Sequence, residues 1–169
     1  MFGQNKKISI NELEKALSAS VFRLTNYINY CGTADVDNAT KESVLDLILE
    51  EFTEGATMEV SNVFTQDVKE LPVKKYFRNL IYLTETEGYS IIFFTYSKIK
   101  ISNLSKGVGN RYTATGEFTQ TFQAYRKKTE VYGDITVKFA ELYIWVNGNT
   151  FEAKFGNTKV ISTRKLVKQ

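Results

Sequence analysis

The chain has 169 residues, and its 22 lysines and arginines against 19 aspartates and glutamates leave a formal net charge of +3, the size and balance of one soluble domain. Hydrophobic residues make up 43% and charged residues 24%, enough for a core and no compositional case for disorder. With no histidine and a single cysteine, Cys31, the commonest general base and metal ligand is missing, and neither an internal disulfide nor a Cys/His zinc site can form within one chain.

The first seven residues carry lysines but no apolar run behind them. No export signal is visible there, and a cytoplasmic protein is the default expectation; a native signal replaced by a bare Met would make it extracytoplasmic. Residues 1–8 read as a short N-terminal extension. No stretch reaches the roughly 18 apolar residues of a membrane span. Ser9-Ile10-Asn11-Glu12 then has the spacing of a capping box, with Ile8 and Leu13 placed to staple across it. Leu13, Leu17, Val21, Leu24 and Ile28 form one apolar stripe at helical spacing, which predicts a long one-sided helix ending near Cys31 and Gly32. Asp35 to Thr40 is a polar turn. A second helix follows on Val44, Leu45, Ile48, Leu49 and Phe52, stopped by Gly55.

From Ala56 the period changes to two. Met58 and Val60 mark a short strand, and Gln66 to Leu71 is placed to pair back with it. Pro72 suits the first position of a third helix, whose stripe is Val73, Phe77, Leu80 and Ile81 or Leu83. Four strands complete the chain: Tyr89 to Ser102, Arg111 to Arg126, Val131 to Val146 and Thr150 to Leu166. They are longer than the usual five or six residues, so bends are expected, with Gly116, Gly133 and Gly156 as the candidate positions.

This order, with the run from Leu71-Pro72-Val73 through Tyr76-Phe77 and Leu80 into a bent meander, resembles the nuclear transport factor 2-like superfamily, also described as the cystatin-like or SnoaL-like fold. The resemblance spans nearly the whole chain and is topological, without a diagnostic motif. It implies a single α+β domain in which a curved, mostly antiparallel sheet of about six strands wraps three helices into a cone with a pocket at its open end. A lipocalin-like barrel would need about eight strands, more than are visible.

Along the second long strand Tyr112, Ala114, Gly116, Phe118, Gln120, Phe122 and Ala124 share one face, which reads as core apart from Gln120. Ile91 to Phe94 and Phe139 to Val146 are largely apolar on both faces, and one layer of helices covers only one. Proteins of the resembled family commonly pack that second face against another copy, so the resemblance implies a homodimer through the sheet. Local curling of the sheet is the alternative.

The resembled family includes isomerases, dehydratases and cyclases that place an acidic base in the cone. Without histidine only a carboxylate and tyrosine version could operate here. The acids in apolar strand context are Glu59, Glu117, Asp134 and Glu141. Glu141 is singled out as a weak catalytic candidate because Phe139, Tyr143 and Trp145 share its face; a partner-facing or salt-bridged surface carboxylate, with Lys138 or a basic residue of the last strand close by, outranks that reading. Of the ten tyrosines, Tyr27, Tyr30 and Tyr76, with Phe77, Phe118, Phe122 and Trp145, are the expected pocket lining.

Three other signals yield nothing specific. The Gly107-Val108-Gly109 loop joins two strands, so it lacks the helix N-terminus that a phosphate loop requires. Asp35, Asp37 and Asn38 resemble a calcium loop only faintly, and helix capping by Asp37 or Asn38 outranks that reading. The basic tail of Lys154, Lys159, Arg164, Lys165 and Lys168 reads as edge-strand protection ahead of nucleic-acid binding. No cofactor and no metal are expected. The leading expectation is a non-catalytic binding or scaffold module whose apolar cone takes a small molecule or a protein partner. The alternative is a cofactor-free isomerase, dehydratase or cyclase with a carboxylate base and tyrosine donors.

Overall fold

A computed structural model describes residues 7–167. The expected extension therefore lies, up to residue 6, outside the described residues, as does Lys168. Ile8 packs against the core, and Ser9 caps the first helix, α1 (Ile10–Gly32), its hydroxyl accepting the Glu12 amide at 3.2 Å while Glu12 accepts the Ser9 amide at 2.8 Å. All five stripe residues of α1 are at most 2% exposed, and burying each contributes about 1.5–3 kcal/mol. Asp37 caps α2 (Asn38–Glu50) by accepting the Thr40 amide at 2.9 Å. This helix ends earlier than its stripe suggests. Phe52 has left it to bridge Phe155 beside the sheet, where the Thr53 amide donates to the Phe155 carbonyl and the Phe155 amide to the Glu51 carbonyl, both at 2.8 Å.

A hairpin of β1 (Thr57–Ser61) and β2 (Val68–Pro72) follows. Pro72 is the last residue of β2 and precedes α3 (Val73–Ile81); its ψ of 141° keeps it extended, so it stands one residue before the position expected for it. The third helix breaks at Tyr82, and α4 (Leu83–Glu87) is a separate short turn closed by Gly88 at φ 67°. The meander is β3 (Ile91–Ile101), β4 (Ser105–Lys106), β5 (Arg111–Arg126), β6 (Thr129–Asn147) and β7 (Thr150–Lys165). The seven strands form one sheet in the order β2-β1-β7-β6-β5-β3, with β4 paired to β5. One strand more than expected appears because the loop after β3 contributes the two-residue β4. All pairings are antiparallel except β1 with β7, which meet at Met58 and Thr158.

That order corrects the reading of the tail. β7 lies inside the sheet, between β1 and β6, and the edges are β2 and β3, so its lysines do not guard an edge. Phe155 is 1% exposed in the core and is not available to stack on a base. The glycines also divide by role. Opposite Gly156 the register slips between Ala140 and Leu142, leaving Glu141 without a partner in β7; a Cβ on Gly156 would lie 2.6 Å from the Glu141 Oε2. The register also slips between Ala124 and Tyr125, close to Gly133. Gly116 sits in regular pairing with Ala140, so it is not a bend; a Cβ there would stand 2.8 Å from Val21, and glycine lets α1 close onto the sheet.

All helices lie on one face of the sheet. On β5 the even-numbered residues from Gly116 to Ala124 are buried, including Gln120, which the sequence sets apart from that core face, and on β6 those from Asp134 to Ile144 are buried too.

Candidate functional site

The burial pattern of β6 sets three polar side chains against the helices. Asp134, Thr136 and Lys138 share the inner face with Ala140, Leu142 and Ile144, and are 6%, 3% and 3% exposed. Gln120 joins them from β5 at 7%. Toward Ala140 the same face is filled by Phe118, Phe77 and the α1 stripe. Toward Asp134 it opens, because α3 and the short α4 cover the sheet less completely than α1 does, and a cavity of about 360 Å³ results. Tyr76, Leu80 and Leu83 form its helical wall, and Phe94 and Phe122 its sheet wall, their rings 5.0 Å apart. The β1–β2 loop reaches over the mouth, where Phe64 meets Tyr132 edge to face at 5.4 Å and the Val63 amide donates to the Tyr132 hydroxyl at 3.3 Å. Glu87 and Tyr89 complete the rim.

The electrostatics follow from that burial. Desolvation pushes the Asp134 carboxyl above the usual carboxylate range; the Tyr132 and Thr136 hydroxyls and the Lys138 charge act in the opposite direction. The Thr136 hydroxyl donates to Asp134 Oδ1 at 3.2 Å and contacts Thr163, which in turn bonds Ser61, so the acid end is tied to β7 and β1. Lys138 is different. Burial lowers its ammonium to about 8, Asp134 partly offsetting the fall. Among the described residues it makes no hydrogen bond and no ion pair; its Nζ stands 5.2 Å from the centroid of the Tyr76 ring. Burial raises the Tyr76 and Tyr132 phenols well above their ordinary value, so both are hydrogen-bond donors at neutral pH.

Of the residues expected to line a pocket, Tyr76 and Phe122 do so. Phe77 and Phe118, both 0% exposed, lie in the core below it. Tyr27 and Tyr30 on α1 pack partly buried against that core and do not reach the cavity. Trp145 is on the outer face of the sheet, stacked on Tyr143 at 6.0 Å beside a shallow depression that includes Asn110 and Lys154. Glu141 is also on the outer face, where the Asn157 amide donates to it at 3.0 Å and the Tyr143 hydroxyl at 3.3 Å. It does not meet Lys138, because residues three apart on a strand face opposite sides. Asp134 is one of the acids in apolar strand context, whereas Lys138 is a pocket residue that composition and motif do not mark. Strand parity was the signal that could have found it, since Lys138 falls in step with Ala140, Leu142 and Ile144. Among the described residues no group of three acids or thiols is placed to hold a metal, and no helix is long and apolar enough to cross a membrane.

No protein-family model matches the sequence, and no curated protein matches it. Solved structures do. The intermembrane-space region of the chloroplast protein ARC6 aligns with a TM-score of 0.51 at 9% identity, over 92% of this chain and 98% of that one. A candidate scytalone dehydratase from Novosphingobium aromaticivorans aligns with a TM-score of 0.50 at 12% identity, over 95% and 92%. A candidate dehydratase of the nuclear transport factor 2-like family from Streptomyces avermitilis aligns at 0.49 with 10% identity, over 95% and 100%. The likeness is one of fold: this chain has the curved-sheet cone of nuclear transport factor 2-like proteins.

Proposed function

We propose that this chain is a small-molecule-binding protein whose cone takes a compact, largely apolar molecule with one polar group, and that two copies associate through the outer face of the sheet. The observation that carries the first part is the polar floor of the cavity. A buried ammonium without a carboxylate partner is costly, and an aromatic face offsets only part of that cost. A ligand carbonyl or carboxylate set between Lys138 and Asp134 would supply the missing acceptor, while Phe94, Phe122 and Leu80 enclose its apolar body.

The experiment is a thermal-shift panel of compact aromatic and alicyclic acids, ketones and alcohols against the wild-type protein, Lys138→Met and Asp134→Asn. A ligand at 100 times its Kd contributes about 2.7 kcal/mol, a shift of several degrees for a domain of this size. The expected result is a rise in Tm with some acids or ketones that Lys138→Met loses. A wild-type Tm that moves with no member of the panel overturns the reading.

Self-association is supported by the outer face itself. Phe93 is 50% and Ile91 43% exposed on the edge strand β3, and Phe93 meets Tyr125 edge to face. Tyr143 and Trp145 form a second aromatic pair on the same side. A partner of identical sequence would set such aromatic pairs against each other across a two-fold axis.

A catalytic reading is favoured by one observation, the raised carboxyl of Asp134 beside the Tyr132 hydroxyl. A buried acid with a phenol donor can move a proton at the carbon next to a carbonyl. Deuterium exchange at the α-carbon of a bound cyclic ketone, followed by NMR, tests it. Catalysed exchange abolished by Asp134→Asn would support an isomerase or dehydratase, and background exchange alone would leave a binding protein.

A further inference from the structure

We propose that Lys138 is a reactive amine that forms a reversible imine with a small apolar aldehyde or ketone seated in the cone. This deepens the binding reading above and rests on it. The geometry has three parts. The Lys138 side chain is 3% exposed, yet it lines the cavity of about 360 Å³, so a ligand can reach its nitrogen while bulk water is largely kept away. No carboxylate is paired with it among the described residues, which leaves its nitrogen unclaimed. Asp134, on the same face of β6 and in the same cavity, supplies an acid whose protonated form burial favours.

The other deeply buried lysine shows what a structural role looks like. Lys41 is 1% exposed, and its ammonium donates to the Thr33 carbonyl beyond the C-terminus of α1, where the helix dipole favours a cation. It lines no cavity with Lys138. Burial also brings the Lys138 ammonium to about 8, so near neutral pH it holds roughly three hundredfold more free amine than an exposed lysine.

The chemistry balances without a cofactor or a redox partner. The free amine of Lys138 attacks the carbonyl carbon, forming the C–N bond, and its proton passes to the former carbonyl oxygen to give a carbinolamine. A proton from the Asp134 carboxyl then lets that oxygen leave as water, and the nitrogen gives up its remaining proton to the carboxylate as the C=N bond forms. One water is released, and its return reverses the step. Phe94, Phe122 and Tyr76 would hold the apolar remainder of the ligand.

The test uses the whole chain, benzaldehyde as the electrophile, and sodium cyanoborohydride to reduce any imine to a stable benzylamine, read by intact and peptide mass spectrometry. The expected result is one benzyl group per chain, on Lys138, formed at least about tenfold faster than on any other lysine, as its larger free-amine fraction dictates. Lys138→Arg should lose that label while circular dichroism shows it folded. Asp134→Asn should keep the site and slow the labelling. Benzyl alcohol, which cannot form an imine, serves as the separate probe of the cavity. If it raises the Tm but labelling is spread evenly over surface lysines, the imine proposal is overturned and the pocket stands. If benzyl alcohol and benzaldehyde both leave the Tm unchanged and Lys138 is unlabelled, the binding reading fails with it.

Discussion

The Lys138 ammonium faces the Tyr76 ring at 5.2 Å, and both side chains are nearly inaccessible to solvent. They come from β6 and α3, the two elements that separate to open the cone. The cation therefore marks where packing by α1 ends and the cavity begins. A lysine here is expensive to the fold, which makes it a measurable property of the free protein.

The first prediction is a pH-dependent stability gap between wild type and Lys138→Met. The folded ammonium releases its proton near 8, the unfolded one near 10.5. Below 8 both states are charged and the burial penalty is complete, on the order of 3 kcal/mol. Between 8 and 10.5 the unfolded chain binds more protons, so this group makes the wild type more stable as pH rises. The groups facing it are Asp134 from β6 and Tyr76 from α3, with Tyr132 and Glu87 toward the rim. Burial also raises the Asp134 carboxyl, which opposes this trend wherever that group titrates, and the raised tyrosines oppose it above about 10. Urea denaturation should therefore find Lys138→Met more stable than wild type at pH 7, with the gap narrowing by pH 9.5. A constant gap would mean that the ammonium is not desolvated.

A second prediction concerns Gly116. A methyl group there would press on Val21 at 2.8 Å and Leu142 at 3.3 Å, and both neighbours are fixed in the core. Gly116→Ala should cost about 1–3 kcal/mol by overpacking. Val21→Ala should recover part of that loss in a double-mutant cycle, because the two changes share one contact. Additive costs would show that the approach of α1 to β5 is not what the glycine serves.

These two sites also show what the sequence could and could not reveal. The α1 stripe from Leu13 to Ile28 is legible because one periodicity runs uninterrupted for about four turns, and Arg111 to Arg126 because its alternation is strict. Glu141 drew attention through its aromatic neighbours, all odd-numbered and all on the outer face. Nearness in sequence makes Lys138 look like a partner for it, although strand parity sends Lys138 to the inner face with Asp134. Tyr27 and Tyr30 look like pocket residues on α1, but they pack against the core and stay out of the cavity. Which helix leaves the sheet uncovered depends on the short α4 and the break at Tyr82, and no local pattern encodes that.

A third prediction follows from the outer face. Phe93→Lys places a charge among Ile91, Tyr125 and the exposed edge of β3 without touching the core. Light scattering should find wild type as a dimer and this variant as a monomer, with far-UV circular dichroism unchanged. Monomeric wild type at tens of micromolar would remove self-association from the functional reading.

The last prediction uses Cys31 as a reporter of the C-terminus of α1, which packs against the Phe94 and Leu80 wall of the cavity. Its thiol is 0% exposed, and burial raises its pKa to about 11, with Lys41 acting weakly against the rise. The following residue, Gly32, is pressed against Phe94, whose ring would stand 2.5 Å from a Cβ there. A thiolate reagent must therefore wait until the C-terminus of α1 parts from β3 and α3. Because the thiolate is the attacking species and the native thiol is held protonated, native-state labelling should be slower than that of a denatured chain by a factor set by the opening free energy. Gly116→Ala should speed it, since α1 is then pushed off the sheet along its whole length. Lys138→Met should not, because it removes a buried charge and pushes no element off the sheet. Equal acceleration by both variants would mean that α1 and the cone open as one unit.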